Sequence, residues 1–225
     1  MSSELTSNNV MKAAFPALDG FVPASGSGPA SLAAKRAFDL VLGTLLLLIF
    51  TPVMVLVSLA VALESPGPIL FCQKRTGRDG KTFPIFKFRS MRVMEKGGEV
   101  RQAVEGDDRI TRVGCVIRKL SLDELPQLFN VIAGQMSLVG PRPHAILHDD
   151  YYGARIAAYA LRQQVKPGIT GWAQVNGSRG PTPTIETMRR RVALDTWYVA
   201  NHSLALDIKI LVRTPLAVLS TRNAH

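Results

Sequence analysis

The stretch from residue 40 to residue 63 constrains this chain more than any other, because it holds 24 consecutive residues without a formal charge. As an α-helix rising ~1.5 Å per residue it would be about 36 Å long, enough to cross a roughly 30 Å hydrocarbon core. Thr51-Pro52 lies near its centre. Proline removes one backbone donor and crowds the preceding turn. The sequence therefore predicts a bend, with two halves that each reach only half the bilayer depth.

The flanks of this stretch bear on its topology. A signal peptide fits poorly, because the run starts about 40 residues in, is too long for an h-region and has no small-residue cleavage site close behind it. Lys35-Arg36 precede the run, and four more basic residues follow it between residues 74 and 81. Basic flanks prefer the cytoplasm. A helix that enters and leaves one face satisfies both ends, whereas a spanning helix strands one; the pattern favours re-entry and leaves a single span open.

Charge is distributed unevenly along the chain. Residues 1–63 are neutral overall, so the remainder carries the whole net charge of +10. A basic domain after an apolar segment suits an anionic partner, such as lipid headgroups, a phosphorylated substrate or nucleic acid. The two cysteines, Cys72 and Cys115, are too few for a disulfide framework and match no metal-site spacing. We therefore expect reduced thiols in the core of a cytosolic domain.

These patterns divide the chain into three parts. Residues 1–34, rich in Ser, Ala, Gly and Pro, are expected to form a disordered leader. Residues 35–64 form the membrane helix, and residues 65–225 a compact cytoplasmic domain of the α/β (α+β) class. Asp79-Gly80 between two β-prone runs predicts a small β-hairpin. The apolar run 203–221, with interspersed basic residues, predicts C-terminal amphipathic interfacial helices.

The segment Ser121-Leu122-Asp123-Glu124 matches a capping box, with Ser121 and Glu124 three residues apart. This pattern predicts a helix that opens here and runs to about Ile132, with Gly134 at its end. On this interpretation the two acids merely complement the positive end of the helix dipole. The local pattern does not exclude a second, chemical interpretation.

The same position suits phosphoryl chemistry. The helix dipole would keep Asp123 ionised, and amides at a helix start attract phosphate. Arg118 and Lys119 lie just upstream and would reduce the repulsion between a carboxylate and a phosphate ester. An ionised carboxylate can attack phosphorus to give an acyl phosphate. Mg²⁺ held by one carboxylate and the substrate phosphates would neutralise the developing charge.

Two further local patterns bear on the site residues. Arg142 stands between Pro141 and Pro143, which stiffen the backbone and present its guanidinium from a rigid loop; a rigid turn with an incidental arginine is the alternative. His144 and His148 have the spacing of metal ligands on a helix, but the glutamate of the H-E-x-x-H pattern is missing. We therefore expect no metal site at the two histidines.

Taken together, the motifs resemble the bacterial sugar transferase family over residues 35 to about 221. Its members are monotopic phosphoglycosyl transferases that start glycan assembly on a polyprenyl phosphate. The segments that carry the resemblance are Lys35-Arg36-x-x-Asp39, the proline-broken helix, Lys87-Phe88-Arg89-Ser90-Met91, Arg118-Lys119-Leu120-Ser121-Leu122-Asp123-Glu124-Leu125-Pro126-Gln127, Met136-Ser137-Leu138-Val139-Gly140-Pro141-Arg142-Pro143 and Pro167-Gly168-Ile169-Thr170-Gly171-Trp172-Ala173-Gln174-Val175-Asn176-Gly177. Several long matches in order are far more specific than any one of them.

The resemblance implies transfer of a hexose-1-phosphate from a UDP-hexose to undecaprenyl phosphate, with release of UMP, at the start of exopolysaccharide, capsule or O-antigen synthesis. Asp123 would be the nucleophile and the Mg²⁺ ligand, and Glu124 would assist proton removal or position the metal. The residues expected to bind substrate phosphates are Lys87, Arg89, Arg118 and Arg142. Those expected to form the re-entrant helix are Lys35, Arg36, Asp39, Thr51 and Pro52. The family places the protein at the cytoplasmic face of the bacterial inner membrane.

Two departures from the family pattern stand out. Thr51 replaces the usual serine before the proline, and its hydroxyl can still bond a carbonyl one turn back. His202 replaces a tryptophan, which weakens interfacial anchoring there. The extra transmembrane helices of larger relatives are absent, so we expect a minimal catalytic form.

A different class of function stays open beside this one, a membrane-tethered basic scaffold or nucleic-acid-binding protein. The net charge supports it, but no helix-turn-helix, aromatic stacking platform or zinc-finger spacing occurs, and we expect no nucleic-acid partner. The sugar, the pathway and the oligomeric state do not follow from the sequence.

Overall fold

The structure is a computed structural model that describes residues 29–92 and 107–219. Most of the predicted leader therefore lies outside the described residues. The helices and strands, in chain order, are α1 (Pro29–Glu64), β1 (Leu70–Thr76), β2 (Thr82–Phe88), α2 (Arg112–Lys119), α3 (Gln127–Ile132), β3 (Ser137–Val139), α4 (Ile146–Gly153), β4 (Gly168–Thr170), α5 (Trp172–Val175), α6 (Ile185–Asn201) and α7 (Leu204–Leu219). Three short 3₁₀ turns lie at Arg78–Gly80, Leu122–Glu124 and Tyr159–Gln164. The fold is mainly helical, with two small sheets.

Helix α1 contains the long apolar stretch and is 36 residues long. It begins at Pro29, whereas the prediction began the helix at residue 35. Helical backbone continues through Pro52, so the proline does not divide α1 into two helices; re-entry into the membrane stays a prediction. The Thr51 hydroxyl donates to the carbonyl oxygen of Leu47, 2.7 Å away, as expected for a residue that bonds one turn back. Within the described ranges, α1 is the one helix long and apolar enough to cross a membrane.

One face of α1 is covered by the domain along both halves of the helix. In the first half, side chains at spacings of three to four residues, including Phe38, Leu42 and Leu46, pack against the largest core cluster. In the second half, Val57 and Val61 are buried in another cluster. The opposite face exposes large apolar side chains, at positions Val41, Leu45, Leu48, Ile49, Val55, Leu56, Leu59 and Leu63. An exposed apolar stripe of this length is typical of a surface that meets lipid.

Polar side chains fasten the first turns of α1 to the domain. Lys35 forms ion pairs with Asp39, at 3.4 Å, and with Asp207 of α7, at 2.7 Å. Asp39 is 2% exposed and accepts hydrogen bonds from the Ser137 hydroxyl and the Leu138 amide of β3. The i, i+3 spacing of Arg36 and Asp39 suits an ion pair on a helix, but that expectation is wrong, because Arg36 donates instead to two carbonyl oxygens at the end of α3.

The other end of α1 is fastened to the same domain. The Glu64 carboxylate accepts from the Val113 amide at the start of α2. Arg89, just after β2, donates to the carbonyl oxygens of Val61, Ser65 and Pro66. These carbonyls belong to the last turn of α1 and the chain that leaves it, where backbone acceptors lack helical partners. Both ends of the apolar helix thus contact one folded domain.

The predicted hairpin is confirmed. Strands β1 and β2 pair antiparallel, with Thr76 opposite Thr82, and Asp79 in the turn has a φ of 57°. The short apolar run at residues 136–139 favours a strand, and β3 lies there and pairs parallel with β4. The chain after β3 lies close to the start of β4, so a Cβ on Gly168 would collide with the backbone of Gly140.

The helices of the second half of the domain agree only in part with what their local sequence predicts. The alternation in residues 109–119 favours a short strand or an irregular segment, but these residues contain helix α2, which the Thr111 hydroxyl caps by accepting from the Gly114 amide. Thr184 is a residue type that favours a helix start, and helix α6 does begin there, with a capping box between Thr184 and Thr187. A run of three arginines on a helix favours a solvated face, yet Arg191 is buried. Helix α7 includes Pro215 and is a single helix.

Candidate active site

The two candidate carboxylates lie in a 3₁₀ turn between α2 and α3 and not at the start of a long helix. Ser121 has a φ of 57° and makes no capping bond, so the predicted capping box is wrong. Pro126 stands between the turn and α3 as the N-cap residue of that helix, where its missing N–H costs no intrahelical hydrogen bond. Gly134, with a φ of 82°, follows α3 at the predicted position.

Glu124 is the anchored member of the pair. Its Oε1 accepts from the Lys87 Nζ of β2 at 2.7 Å. Arg142 reaches both of its carboxylate oxygens in a forked contact, with 3.0 Å between Nη1 and Oε2. Burial acts to raise the pKa of Glu124, but the charges of Arg142 and Lys87 outweigh it and hold this pKa well below its usual range. Glu124 is therefore ionised and occupied by two cations.

Asp123 has a different environment from its neighbour. It is 7% exposed, and no side-chain hydrogen bond to its carboxylate is found within residues 29–92 and 107–219. Burial raises the pKa of Asp123 to about 6; the charge of Lys87 opposes this shift, and Glu124 reinforces it. The sequence-based expectation that a helix dipole keeps Asp123 ionised is thus replaced by a balance between burial and nearby cations. At neutral pH the carboxylate is ionised and has both oxygens available.

A second layer of contacts holds the Arg142 loop in place. The carbonyl oxygen of Arg142 accepts from Arg162 Nη2 at 2.8 Å. Arg162 in turn forms a buried ion pair with Asp195 of α6, at 2.7 Å. Tyr198 of α6 donates to Asp207 of α7, at 2.7 Å. These contacts join α6 and α7 to the loop that presents Arg142.

The structure brings three of the four predicted phosphate-binding residues to the carboxylates. Lys87 and Arg142 contact Glu124 directly, and Arg118 is close enough for its charge to lower the pKa of Asp123. Arg89 does not join them, since its donors are engaged at the end of α1. His144 is buried, and burial together with the charge of Arg162 holds its pKa well below its ordinary value. The His144 imidazole is therefore neutral at pH 7.

Three further arginines near the site were not identified from the sequence. Burial, followed by the charge of Arg142, lowers the pKa of Arg75 and of Arg191 to about 10 each. Arg179 donates to the Ser121 hydroxyl, two residues before Asp123. These arginines come from a strand, a helix and a loop that are distant in the chain, so no local spacing could have revealed them.

A cavity of about 230 Å³ opens beside the carboxylates. One end is polar and includes Glu124, Arg142 and Arg179. The other walls are mostly apolar and come from α1, α3, β4 and α7; they include Leu46, Phe50, Leu128, Ile169, Leu211, Ala217 and Val218. The cavity therefore combines cationic side chains with an apolar groove. The groove lies between α1 and α7, the two helices that expose the most large apolar side chains.

The residues around Asp123 fit a Mg²⁺ ion that takes most of its ligands from substrate and water. The described ranges contain no group of three or more His, Cys, Asp or Glu side chains arranged to hold a metal. Glu124 is occupied by cations, whereas the Asp123 oxygens face no donor among these residues. Mg²⁺ commonly binds through one or two carboxylates plus substrate phosphates. Asp123 is the carboxylate that would hold it.

Comparison with known proteins gives a consistent result. The family model described as bacterial sugar transferase matches residues 30–221. A UDP-glucose:undecaprenyl-phosphate glucose-1-phosphate transferase of Caulobacter vibrioides is 54% identical over 191 residues, which cover 85% of this chain and 72% of that protein. A protein of the same name from Escherichia coli is also 54% identical, over 80% of this chain but only 39% of its own length. An exopolysaccharide production protein of Rhizobium leguminosarum is 43% identical over 84% of this chain and 96% of its own.

Proposed function

From the finding that this chain belongs to the bacterial sugar transferase family, we propose that it transfers glucose-1-phosphate from UDP-glucose to undecaprenyl phosphate and releases UMP. The observation that carries the proposal is the contrast between two adjacent carboxylates. Glu124 is held by Lys87 and Arg142, whereas Asp123 is buried beside the same cations with its oxygens free of donors in the described structure. This arrangement suits one nucleophile and one residue that orients cations.

The chemistry proceeds in two displacements at one phosphorus atom. An Asp123 oxygen attacks the β-phosphorus, which bears the sugar, and the bond from this phosphorus to the bridging oxygen breaks. UMP leaves with that electron pair, and an aspartyl phospho-sugar remains. An oxygen of undecaprenyl phosphate then attacks the same phosphorus, and the bond to Asp123 breaks. The products are undecaprenyl diphosphate glucose and a regenerated carboxylate.

The proposed role of the cations of the site is to stabilise the transition state. Phosphoryl transfer places charge on the phosphate oxygens, and positioned cations in a water-poor site stabilise it. Arg118, Arg142 and Lys87 are the groups that would do so. Glu124 holds the last two at fixed positions; its low pKa makes it a weak proton acceptor at neutral pH, so positioning is its proposed role. When bound at Asp123, Mg²⁺ would supply further neutralisation of the substrate phosphates.

The membrane arrangement proposed is monotopic, with a re-entrant α1 and the domain on the cytoplasmic face of the inner membrane. Both ends of α1 are fastened to the same domain, through Lys35 and Asp39 at one end and Glu64 at the other. A spanning helix would place one of these ends across the bilayer. The support is therefore physical: separating the ends would leave buried charges without partners.

The substrate choice rests on the relatives. Those 54% identical are named for UDP-glucose and undecaprenyl phosphate. A relative from Aeromonas hydrophila, named for an N-acetylgalactosamine phosphate, is less similar, at 41% identity. Exopolysaccharide synthesis is the proposed process, in line with the name of the Rhizobium relative.

The deciding experiment measures UMP release from a panel of UDP-sugars, with and without undecaprenyl phosphate, by the full chain in lipid nanodiscs. Without undecaprenyl phosphate, the proposal expects at most one UMP to be released from UDP-glucose per protein molecule. With undecaprenyl phosphate present, it expects repeated turnover. Asp123→Asn should abolish both, with Asp150→Asn, an exposed acid on α4, as the matched control. Retained transfer by Asp123→Asn, or a phospho-sugar trapped on another residue, would sink the nucleophile assignment.

A further inference from the structure

Arg179 differs from the other arginine of the cavity in its partners. Arg142 is neutralised by Glu124, whereas Arg179 has no carboxylate within ion-pair distance in the described part of the chain. Its contacts are neutral oxygens: the Ser121 hydroxyl and, at 3.3 and 3.2 Å, the carbonyls of Ala217 and Val218. Glu124 and Asp123 are near enough to act on its charge, and they do not contact it. A cation without a counter-ion at a cavity wall suits an anionic ligand.

The position of Arg179 relates this cation to the apolar groove. The Ala217 and Val218 carbonyls belong to the last turn of α7, whose side chains form one wall of the groove. Leu46 and Phe50 of α1 form the facing wall. The Ser121 contact places the guanidinium two residues from the nucleophile in sequence. Arg179 thus lies where the groove meets the catalytic turn.

The surroundings of the groove indicate an occupant that arrives from lipid. Next to the groove-lining residues, α1 exposes Leu45 and Ile49, and α7 exposes Val212 and Leu216. The cavity, at about 230 Å³, is smaller than the roughly 300–1,000 Å³ typical of a drug-sized ligand. It has room for the part of a lipid chain next to its headgroup, and the rest of the chain would continue along the exposed apolar faces.

We propose that Arg179 binds the phosphate of the polyprenyl acceptor and that the groove between α1 and α7 holds the isoprene units next to that phosphate. This inference rests on the proposed function and deepens it by assigning the acceptor site. The acceptor phosphate would then enter from the α7 side of Asp123, with Lys87, Arg118 and Arg142 left for the nucleotide-sugar. Arg179 is by this inference a substrate-binding residue of the second displacement.

A purely structural role for Arg179 makes a different prediction. As a cap on the last carbonyls of α7 it would stabilise that helix, and its loss would affect both displacements together. As the acceptor-phosphate ligand it acts mainly on the second displacement. The two roles are separated by comparing the KM for each substrate.

The test uses the full chain in nanodiscs with UDP-glucose and undecaprenyl phosphate. Arg179→Gln should raise the KM for undecaprenyl phosphate about 10- to 100-fold, the range expected for loss of a hydrogen bond to a charged group, and change the KM for UDP-glucose by less than about threefold. Arg190→Gln, on the exposed face of α6, is the matched control and should change neither. An unchanged KM for undecaprenyl phosphate, or an equal rise in both, would overturn the inference.

A second measurement keeps the inference testable if Arg179→Gln fails to fold. A photoreactive undecaprenyl phosphate, with the diazirine in its first isoprene units, should label α1 near Phe50 or α7 near Leu211 and Val218. Undecaprenyl phosphate should compete for this labelling, and undecaprenol, which lacks the phosphate, should compete at least tenfold more weakly. Labelling confined to other segments contradicts the inference. Absence of UMP release by the wild-type protein would instead count against the proposed function, so the two failures are distinguishable.

Discussion

Lys87 and Glu124 form a partly buried ion pair, with 2.7 Å between Nζ and Oε1, directly beside Asp123. Their side chains are 19% and 12% exposed. The pair fixes a positive charge near Asp123 without giving that carboxylate a hydrogen bond. Glu124 therefore has hydrogen-bonded counter-ions, whereas the adjacent Asp123 has nearby cations and no hydrogen bond from them.

Asp123→Asn should abolish transfer and stabilise the protein. The carboxyl has a pKa of about 6 in the fold against 3.8 ordinarily, so the folded state holds this proton more tightly and stability falls as pH rises between the two values. At pH 7 the ionised group destabilises the fold by up to about 3 kcal/mol, which asparagine removes. Thermal unfolding should show a higher Tm at pH 7 and a smaller gain near pH 4. A lower Tm at pH 7 would contradict this energetic picture.

Glu124→Gln should destabilise the protein at neutral pH. The change leaves the partly buried Lys87 and Arg142 without their counter-ion; a fully buried pair loses about 3–5 kcal/mol in this way, which sets the upper limit of the expected effect. Glu186→Gln on α6, where the side chain is 74% exposed, is the matched control, with an expected effect within about 0.5 kcal/mol. Denaturant unfolding in detergent measures both. Equal effects of the two changes would show that the Glu124 contacts contribute little.

The rate of UMP release should fall in acid. Asp123 must be ionised to attack, so kcat/KM for UDP-glucose should drop about tenfold per pH unit below its pKa of about 6. The charge of Arg118 lowers this pKa, and Arg118→Gln should therefore move the acid limb to higher pH. A pH–rate profile of each protein gives the answer. A flat profile down to pH 4.5 would exclude Asp123 as the titrating nucleophile.

The two ends of α1 should be accessible from the same side of the membrane. Ser31→Cys places a thiol at the exposed start of α1, and the native Cys72 is exposed on β1 within the domain. An impermeant maleimide should modify both in inside-out vesicles and neither in right-side-out cells. Because Cys115 is a second exposed native thiol, each position is tested in a chain whose other exposed cysteines are replaced by serine. Modification of the two positions from opposite sides would refute re-entry.

Pro52→Leu tests the role of the proline in that topology. The proline lacks the amide of a helical residue, and restoring it should favour a straight, spanning α1. The same maleimide assay should then detect a fraction of chains with Ser31→Cys on the far side. An unchanged pattern would mean that the polar contacts of Lys35, Asp39 and Glu64 hold the topology by themselves.

Local spacing determined much of this protein's secondary structure. The Asp79-Gly80 turn, the Gly134 helix end and the Thr184 cap were all predictable, because each depends on the backbone preferences of a few neighbouring residues. The apolar stretch and the long family motifs likewise identified a membrane-associated sugar transferase. The capping box at Ser121 failed for the same reason that it was attractive: a four-residue pattern does not include the Arg179 contact that engages the serine hydroxyl.

The difference in environment between Asp123 and Glu124 was decided only by the tertiary structure. Their sequence neighbourhood is almost the same, yet Lys87 from β2 and Arg142 from the loop after β3 both converge on Glu124. The contacts at both ends of α1 likewise join segments that are distant in the chain. So does the hydrogen bond from Arg179 to Ser121, in the turn that holds Asp123. Chemical character and periodicity are written in the sequence, but a buried carboxylate's pKa depends on which charges packing brings to it.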